Sequence, residues 1–241
     1  MNKRYLSRFS VWALAFGCSV GWGAFVMPGT TFLPLAGPVG TAVGIAIGAA
    51  IMLVIGFNYH YLMNRYPDSG GTMAYTIRAL GYDHGFLISW FLVLVYVAII
   101  WANATALALI GRNLFGSLLQ FGFHYTILGY DVYFGEVAIT IAAIVVFGLI
   151  CIFGKRAAAI LQTVMAIILF AGIVITFIML IRYSGFDLGV LSPAFAPTGI
   201  SRILQVTGII VLAPWAFVGF ESISHSVEEF DFHEKSTFRI M

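Results

Sequence analysis

The stretch that decides the fold is GCSVGWGAFVMPG, residues 17–29, which lies inside an apolar run that ends near residue 34. It places four glycines and one proline within thirteen residues. In a helix interior, a glycine costs about 1 kcal/mol relative to alanine and a proline about 3 kcal/mol. Because lipid cannot hydrogen-bond the freed amides and carbonyls, such a segment must line a protected cavity or find protein partners. A kinked helix whose glycines only allow close packing is the alternative.

The composition of the whole chain excludes a soluble domain. Of its 241 residues, 61% are hydrophobic and 9% are charged, and the mean hydropathy is +1.00. An ordinary globular chain carries about 25% charged residues, so lipid must cover much of this surface. The net charge is +2, and no basic run is interleaved with aromatic residues, so we expect no nucleic-acid partner.

Six apolar stretches reach the roughly 20 residues that a helix needs to cross a bilayer. They are residues 10–34, 38–63, 85–111, 134–153, 158–181 and 202–225. We therefore predict an all-α polytopic membrane helix bundle in which residues 1–241 form a single membrane domain. The first apolar run is too long for a cleaved signal peptide, so we interpret it as an uncleaved span. Within the second span, Gly40, Gly44 and Gly48 share one helix stripe, which predicts close packing against a neighbour.

The lysine and arginine residues predict the orientation. With the N-terminus inside, the inner segments hold nine of these residues and the outer segments hold three, namely Arg112, Arg182 and Arg202. Inner loops are the ones enriched in lysine and arginine, so we expect a cytoplasmic N-terminus. The predicted location is a bacterial plasma membrane, crossed several times.

The sixth span also looks interrupted. Residues 211–221, VLAPWAFVGFE, combine a proline, a glycine and an acid inside an apolar run. Glu221 is the only carboxylate well inside any predicted span, and acids at this depth are usually functional. A protonated Glu221 that only braces two helices is the alternative. A pair of broken helices is typical of secondary transporters, whose free amides bind an anionic group while free carbonyls bind a cation. An amino acid carries both charges, so it fits such a site.

Four motifs resemble the amino acid–polyamine–organocation superfamily, and they appear in that family's order. The first span resembles the family's glycine-rich first helix, and RYPDSGGTMAY at 65–75 is similar to its loop after helix two. The other two are GYDHGFLISW at 81–90 and FVGFE at 217–221 with Glu228 and Glu229. The resemblance implies a leucine-transporter-like fold, of which this chain holds the first five-helix repeat and the sixth helix, with helices one and six discontinuous. We accordingly expect the chain to be a fragment of a longer carrier.

The same resemblance implies a substrate site. The backbone of Gly21, Trp22 and Gly23 would bind the carboxylate of the cargo, although Trp22 departs from the small residue usual there. The ammonium would be received by main-chain carbonyls, those of Ser19, Val20, Trp215 and Val218. Trp215 would also cap the cargo with its ring. Asn103, on the third helix, is similar to a polar residue that reaches the site, with an interhelical hydrogen bond as the alternative.

Coupling and cofactors are less defined by the sequence. Leu169 stands where some proton-coupled relatives carry a lysine, so two hypotheses remain: Glu221 titrates, or the protein exchanges substrates without an ion. Cysteine and histidine residues show no metal-ligand spacing, and we expect no metal and no cofactor.

Several alternatives stay open at this point. The cargo is an amino acid or, alternatively, a polyamine or another organic cation. A channel or a membrane-embedded enzyme has less support, since neither pore-lining repeats nor a nucleophile with a base is present. A homodimer that completes the fold is a further alternative to a fragment.

Overall fold

A computed structural model describes residues 4–127, 129–185 and 188–240, without the side chains of Trp22, Ser184, Leu188 and Val190. The chain divides into two compact units, Met1–Gly85 with Ala159–Met241, and Phe86–Ala158. Helices dominate both units, which confirms the predicted all-α polytopic membrane protein, while the leucine-transporter-like arrangement and the single domain stay predictions. A small β-hairpin is the exception to an all-helical chain.

The first apolar segment is not one continuous helix. Helix α1, Arg8–Ser19, has 12 residues. Ser7 caps its N-terminus, since the Ser7 Oγ accepts a hydrogen bond from the Ser10 amide at 3.2 Å. At 1.5 Å per residue it is about 18 Å long, which is too short to cross a bilayer. A four-residue helix α2, Trp22–Phe25, and a π-helical turn, Pro28–Phe32, follow it.

Helix α3, Leu33–Arg65, contains the boundary between the first two predicted spans. Gly37 has a φ of +68°, outside helical geometry, and Pro38 follows it. This conformation favours glycine, so the chain turns at Gly37 and Pro38, where the second predicted span starts. Among the described residues, five segments are long and apolar enough to span a membrane alone: Pro28–Arg65, Tyr82–Leu119, Phe134–Phe153, Lys155–Tyr183 and Arg202–Glu229.

The glycine stripe of α3 packs on helix α8, Arg202–Leu212. A Cβ on Gly44 would lie 2.5 Å from the Cβ of Ile209, and one on Gly48 would lie 2.3 Å from the Cβ of Ala213. Because real Cβ atoms do not approach this closely, only glycine fits at these two positions. The predicted close packing is confirmed.

Residues 65–75, which the family resemblance implies to be a loop after helix two, contain the start of a helix. Helix α4, Gly71–Leu80, begins inside the RYPDSGGTMAY motif. Its flank is held by an ion pair between Arg78 and Asp68 at 3.5 Å and by a hydrogen bond between Tyr59 and Thr72 hydroxyls at 2.9 Å. The expectation of a loop over 65–75 is therefore wrong from Gly71 onward.

The remainder of the first unit contains the sixth span. Helix α7, Lys155–Ser184, starts at the edge of the second unit and continues into the first. After a short 3₁₀ turn, Leu188–Leu191, come α8 and three further 3₁₀ segments: Ala213–Ala216, Phe220–Glu229 and Glu234–Arg239.

The N-terminal segment is tied to the end of the sixth span. The amides of Tyr5 and Leu6 both donate to the Glu229 carbonyl at 3.0 Å, and the Asp231 amide donates to the Leu6 carbonyl at 3.0 Å. The Tyr5 hydroxyl also donates to the Glu229 carboxylate at 2.7 Å, and burial together with this carboxylate raises the pKa of Tyr5 to about 12. The start of the first span is therefore fixed to the end of the sixth span.

The second unit consists of two continuous helices joined by a hairpin. Helix α5 is Tyr82–Phe115, followed by a 3₁₀ turn, Gly116–Leu119, and helix α6 is Phe134–Phe153. Strands β1, His124–Ile127, and β2, Tyr130–Tyr133, pair antiparallel between them. Arg112 forms an ion pair with the buried Glu136 carboxylate, whose Oε2 lies 2.8 Å from Nη2 of Arg112.

Candidate functional site

The break in the first helix lies at Val20. Its φ and ψ of −87° and 85° are not helical, and its amide donates the last helical bond, to the Phe16 carbonyl. The next amide, that of Gly21, donates back to the Ser19 carbonyl at 3.1 Å. The Ser19 hydroxyl donates to the Ala15 carbonyl at 2.8 Å, so this side chain is occupied within its own helix.

The break in the sixth predicted span, which starts with α8, follows Pro214. The Pro214 carbonyl accepts hydrogen bonds from the amides of Phe217 at 3.1 Å and of Val218 at 2.9 Å, which closes a tight turn. Gly219 then adopts a φ of +120°, a conformation that side chains rarely tolerate. Proline and glycine together therefore end the helix at the position that the sequence indicates.

The two breaks are in direct contact within the first unit. A Cβ on Gly23 would lie 1.9 Å from the carbonyl oxygen of Trp215, and one on Gly219 would lie 2.3 Å from the carbonyl oxygen of Cys18. Each break thus places a glycine against a backbone carbonyl of the other. The absence of a Cβ at these two positions is what allows the main chains to approach.

Some carbonyls at the breaks have no partner. Throughout the described part of the chain, neither the Val20 carbonyl nor the Val218 carbonyl accepts a hydrogen bond. Unsatisfied carbonyls at membrane depth are costly unless they line a cavity or bind a ligand. Both belong to the set of ammonium-binding groups that the sequence predicts.

Glu221 makes a backbone contact at the second break. Its Oε2 accepts a hydrogen bond from the Gly219 amide at 2.8 Å. A carboxylate that accepts from the amide of a strained glycine stabilises the turn directly. The side chain thus bonds to the main chain of the break, and its part in coupling stays a prediction.

The other predicted site residues with a side-chain role are Trp215, Trp22 and Asn103. Trp215 is 49% exposed, whereas the side chain of Trp22 lies outside the described part of the chain. Asn103 belongs to the second unit, where its side-chain amide donates to the Ile99 carbonyl at 2.9 Å on the same helix. Its predicted approach to the site stays a prediction.

A cavity of about 610 Å³ adjoins both breaks within the first unit. Ser19 and Val20 line it from the first break, and Ala216 and Phe217 line it from the second. The opposite wall comes from α3, α7 and the C-terminal segment, with Ile45, Ala49, Met52, Ile173 and Phe238 among its residues. Such a volume lies in the range of roughly 300–1,000 Å³ that small-molecule sites occupy.

The amino acid permease family matches residues 6–241 of this sequence. The chain belongs to the amino acid permease family. It is 25% identical over 243 residues to a branched-chain amino acid permease of Bacillus subtilis, an alignment that covers 94% of the chain and 48% of the relative. It is 30% identical over 228 residues to an L-lysine transport protein of Corynebacterium glutamicum, covering 92% of the chain and 43% of the relative.

A third relative shares a shorter region. A methylthioribose transporter of Bacillus subtilis is 38% identical over 102 residues, which is 42% of the chain and 22% of the relative. The chain thus spans less than half of the length of these relatives. No solved structure matches it. Membership in a permease family assigns the chain to transport proteins and not to enzymes.

Sequence reasoning missed Gln205. The side chain is buried on α8, and its Nε2 donates to the carbonyls of Ala196 at 2.8 Å and Ile200 at 3.1 Å, and to the Thr198 hydroxyl at 3.2 Å. It therefore fixes the loop that leads into the sixth span. An amide inside an otherwise apolar span was the available signal.

Proposed function

We propose that the intact protein carries amino acids across a bacterial plasma membrane by alternating access, with the cargo bound where the two helix breaks meet. The observation that carries this proposal is the contact of the breaks, with Gly23 against the Trp215 carbonyl and Gly219 against the Cys18 carbonyl. Broken helices that meet at membrane depth provide the free main-chain groups that a zwitterion requires.

The carboxylate of the cargo would bind main-chain amides of Gly21, Trp22 and Gly23. An amide in this turn is a strong donor to an anion. The Gly21 amide donates to the Ser19 carbonyl in this structure, so the carboxylate would replace that bond. Replacing a neutral local bond with a charge-assisted one favours the bound state.

The ammonium group would bind carbonyls of both breaks. The Val20 and Val218 carbonyls lack a hydrogen-bond donor in the described part of the chain, and those of Ser19 and Trp215 complete the predicted set. Once the Gly21 amide donates to the carboxylate instead, the Ser19 carbonyl can accept a hydrogen bond from the ammonium. Binding to both breaks at once would couple the cargo to the geometry of helices one and six.

Aromatic and polar side chains would complete the pocket. The exposed Trp215 ring would cap the cargo, and Asn103 would approach from the third helix once the leucine-transporter-like fold is assembled. In that fold, rocking of the broken helices against the remaining ones would open the site to each side in turn.

We further propose a cytoplasmic N-terminus and a structural role for Glu221. The excess of lysine and arginine in the inner segments supports a cytoplasmic N-terminus. Glu221 would act as the brace of the second break, and transport would then proceed by exchange or with an ion bound elsewhere in the intact protein. The bond from the Gly219 amide to the carboxylate supports this assignment.

Uptake by the purified intact gene product in liposomes tests the function. We expect saturable uptake of radiolabelled amino acids that stays above the level of empty liposomes and stimulation by amino acid preloaded on the inside. Uptake that rises linearly with concentration would indicate a channel. No uptake of any amino acid would reject the proposal.

A further inference from the structure

We propose that the cavity beside the two breaks binds the side chain of the cargo, and that it selects neutral amino acids with a bulky apolar side chain. This inference rests on the proposed function, since it assigns a side-chain pocket to the same site. It also specifies a wall of the pocket, on helix α3, that the two breaks do not provide.

The cavity is continuous with the proposed main-chain site. Ser19, Val20, Ala216 and Phe217 line it, and they belong to the two breaks themselves. A ligand whose charged groups are held by the main chain at the breaks would therefore direct its side chain into this space. The far wall, formed partly by Ile45, Ala49 and Met52, lies on the α3 helix.

The chemistry of the lining excludes a charged side chain. Not one of the described residues that line the cavity is acidic or basic. Its polar side-chain groups are the Trp12 indole and the Ser19 hydroxyl, and that hydroxyl donates to the Ala15 carbonyl. A lysine ammonium or a second carboxylate would lose its hydration here and find no counter-ion, which is strongly unfavourable. A leucine, isoleucine or methionine side chain would instead bury apolar surface against apolar surface.

The three relatives carry names that differ in this respect, since one names branched-chain amino acids, one L-lysine and one methylthioribose. The apolar lining is the feature of this chain that distinguishes among such ligands. It favours the aliphatic or thioether type and disfavours the cationic type.

Competition for uptake into liposomes that contain the intact gene product tests the inference. Radiolabelled leucine and alanine serve as probes, with methionine, isoleucine, lysine, glutamate and putrescine as competitors. We expect leucine and methionine to compete at least about tenfold better than lysine, glutamate or putrescine, because a charged group in the apolar cavity would lose its hydration and find no counter-ion. Equal competition by lysine or putrescine would overturn the inference while leaving amino acid transport intact.

Two neighbouring alanines on α3 provide a matched pair of variants. Ala49 lines the cavity, whereas Ala50 is exposed and does not line it. We expect Ala49→Phe to raise the half-maximal concentration for leucine about tenfold and to leave that for alanine within about twofold, and Ala50→Phe to change neither. The smaller Ala49→Leu substitution decides the question if Ala49→Phe does not insert into the membrane.

Equal effects of the Ala49 substitutions on leucine and alanine, or no effect on either, would overturn the pocket assignment. Absence of uptake for both probes and for radiolabelled lysine in the wild-type protein would reject the proposed function itself. The two failures are therefore distinguishable.

Discussion

Glycine has different surroundings at the helix breaks of the first unit and within the continuous helices of the second. In the first unit, Gly23 and Gly219 face backbone carbonyls so closely that no side chain fits. In the second unit, Gly148 on α6 would meet nothing within 4 Å if it gained a Cβ. Glycine permits main-chain contact at the breaks, whereas at Gly148, within a continuous helix, it is only a tolerated small residue.

Burial follows the same division. Four described residues of the second unit are buried, namely Ala106, Gly111, Gly135 and Glu136, and large apolar side chains such as Trp101 and Phe153 are exposed. A surface of that kind is suited to lipid. The first unit instead buries small residues between helices, which allows unpaired main-chain groups to be sheltered at membrane depth.

The largest effect is expected from Gly23→Ala. The added Cβ would lie 1.9 Å from the Trp215 carbonyl oxygen, so the two breaks must separate. Misplacement of a binding group by about 1 Å costs roughly a hundredfold in rate, and we expect uptake to fall by at least that factor. Initial uptake rates at equal protein density measure it, with Gly148→Ala as the control. Wild-type uptake by Gly23→Ala would disprove the contact of the breaks.

Arg112→Ala tests the second unit. The substitution leaves the buried Glu136 carboxylate without its cation, a change that costs about 3–5 kcal/mol for a fully buried pair. Since Arg112 keeps some exposure, we expect a loss of about 2–3 kcal/mol in the free energy of unfolding. Denaturant titration of the purified protein in detergent measures it.

The double variant Arg112→Met with Glu136→Leu provides the control for that experiment. It removes both charges, so we expect it to recover most of the lost stability. Selectivity among amino acids should stay unchanged in both variants. A shift in selectivity would contradict the assignment of the pair to stability alone.

A smaller effect is expected at Glu221, where two substitutions separate bracing from titration. Glutamine keeps an oxygen that accepts from the Gly219 amide, whereas alanine removes it. We expect Glu221→Gln to retain uptake within about twofold and Glu221→Ala to lose about tenfold, consistent with the loss of a partly buried hydrogen bond. Uptake rates across pH 5–8 measure both. Loss of the pH dependence in Glu221→Gln would instead support titration.

The smallest effect is expected from Gly148→Ala. Since a Cβ at this position meets nothing within 4 Å, the substitution only improves helix propensity. We expect a gain of about 0.5–1 kcal/mol in the free energy of unfolding and unchanged uptake. Denaturant titration checks the gain, and a loss of stability would mean that an unseen neighbour covers this helix face.

The positions of the breaks could be predicted from the sequence because glycine and proline act locally. The runs 17–29 and 211–221 contain the residues that end helices, and the structure ends helices there. The contact between Gly23 and Trp215 could not be predicted in this way, because it depends on how two segments almost 200 residues apart pack together.

Three further features depend on packing or on backbone conformation that the sequence does not specify: helix α4, the hydrogen bond of Glu221 and the cavity wall on α3. Helix α4 begins at Gly71, inside the motif for which the family resemblance implied a loop. The bracing bond of Glu221 depends on the left-handed turn at Gly219, which the sequence does not specify. The cavity wall on α3 likewise arises from packing and not from any motif.

The central claim is that the meeting point of the breaks recognises the carboxylate and the ammonium of one cargo together. The most direct measurement uses the amino acid with the highest saturable uptake, and compares competition by that amino acid, by its decarboxylated amine and by its deaminated acid. We expect the amine and the acid each to compete at least about a hundredfold more weakly, since each leaves charge-binding groups unpaired. Equal competition by the amine or by the acid would contradict it.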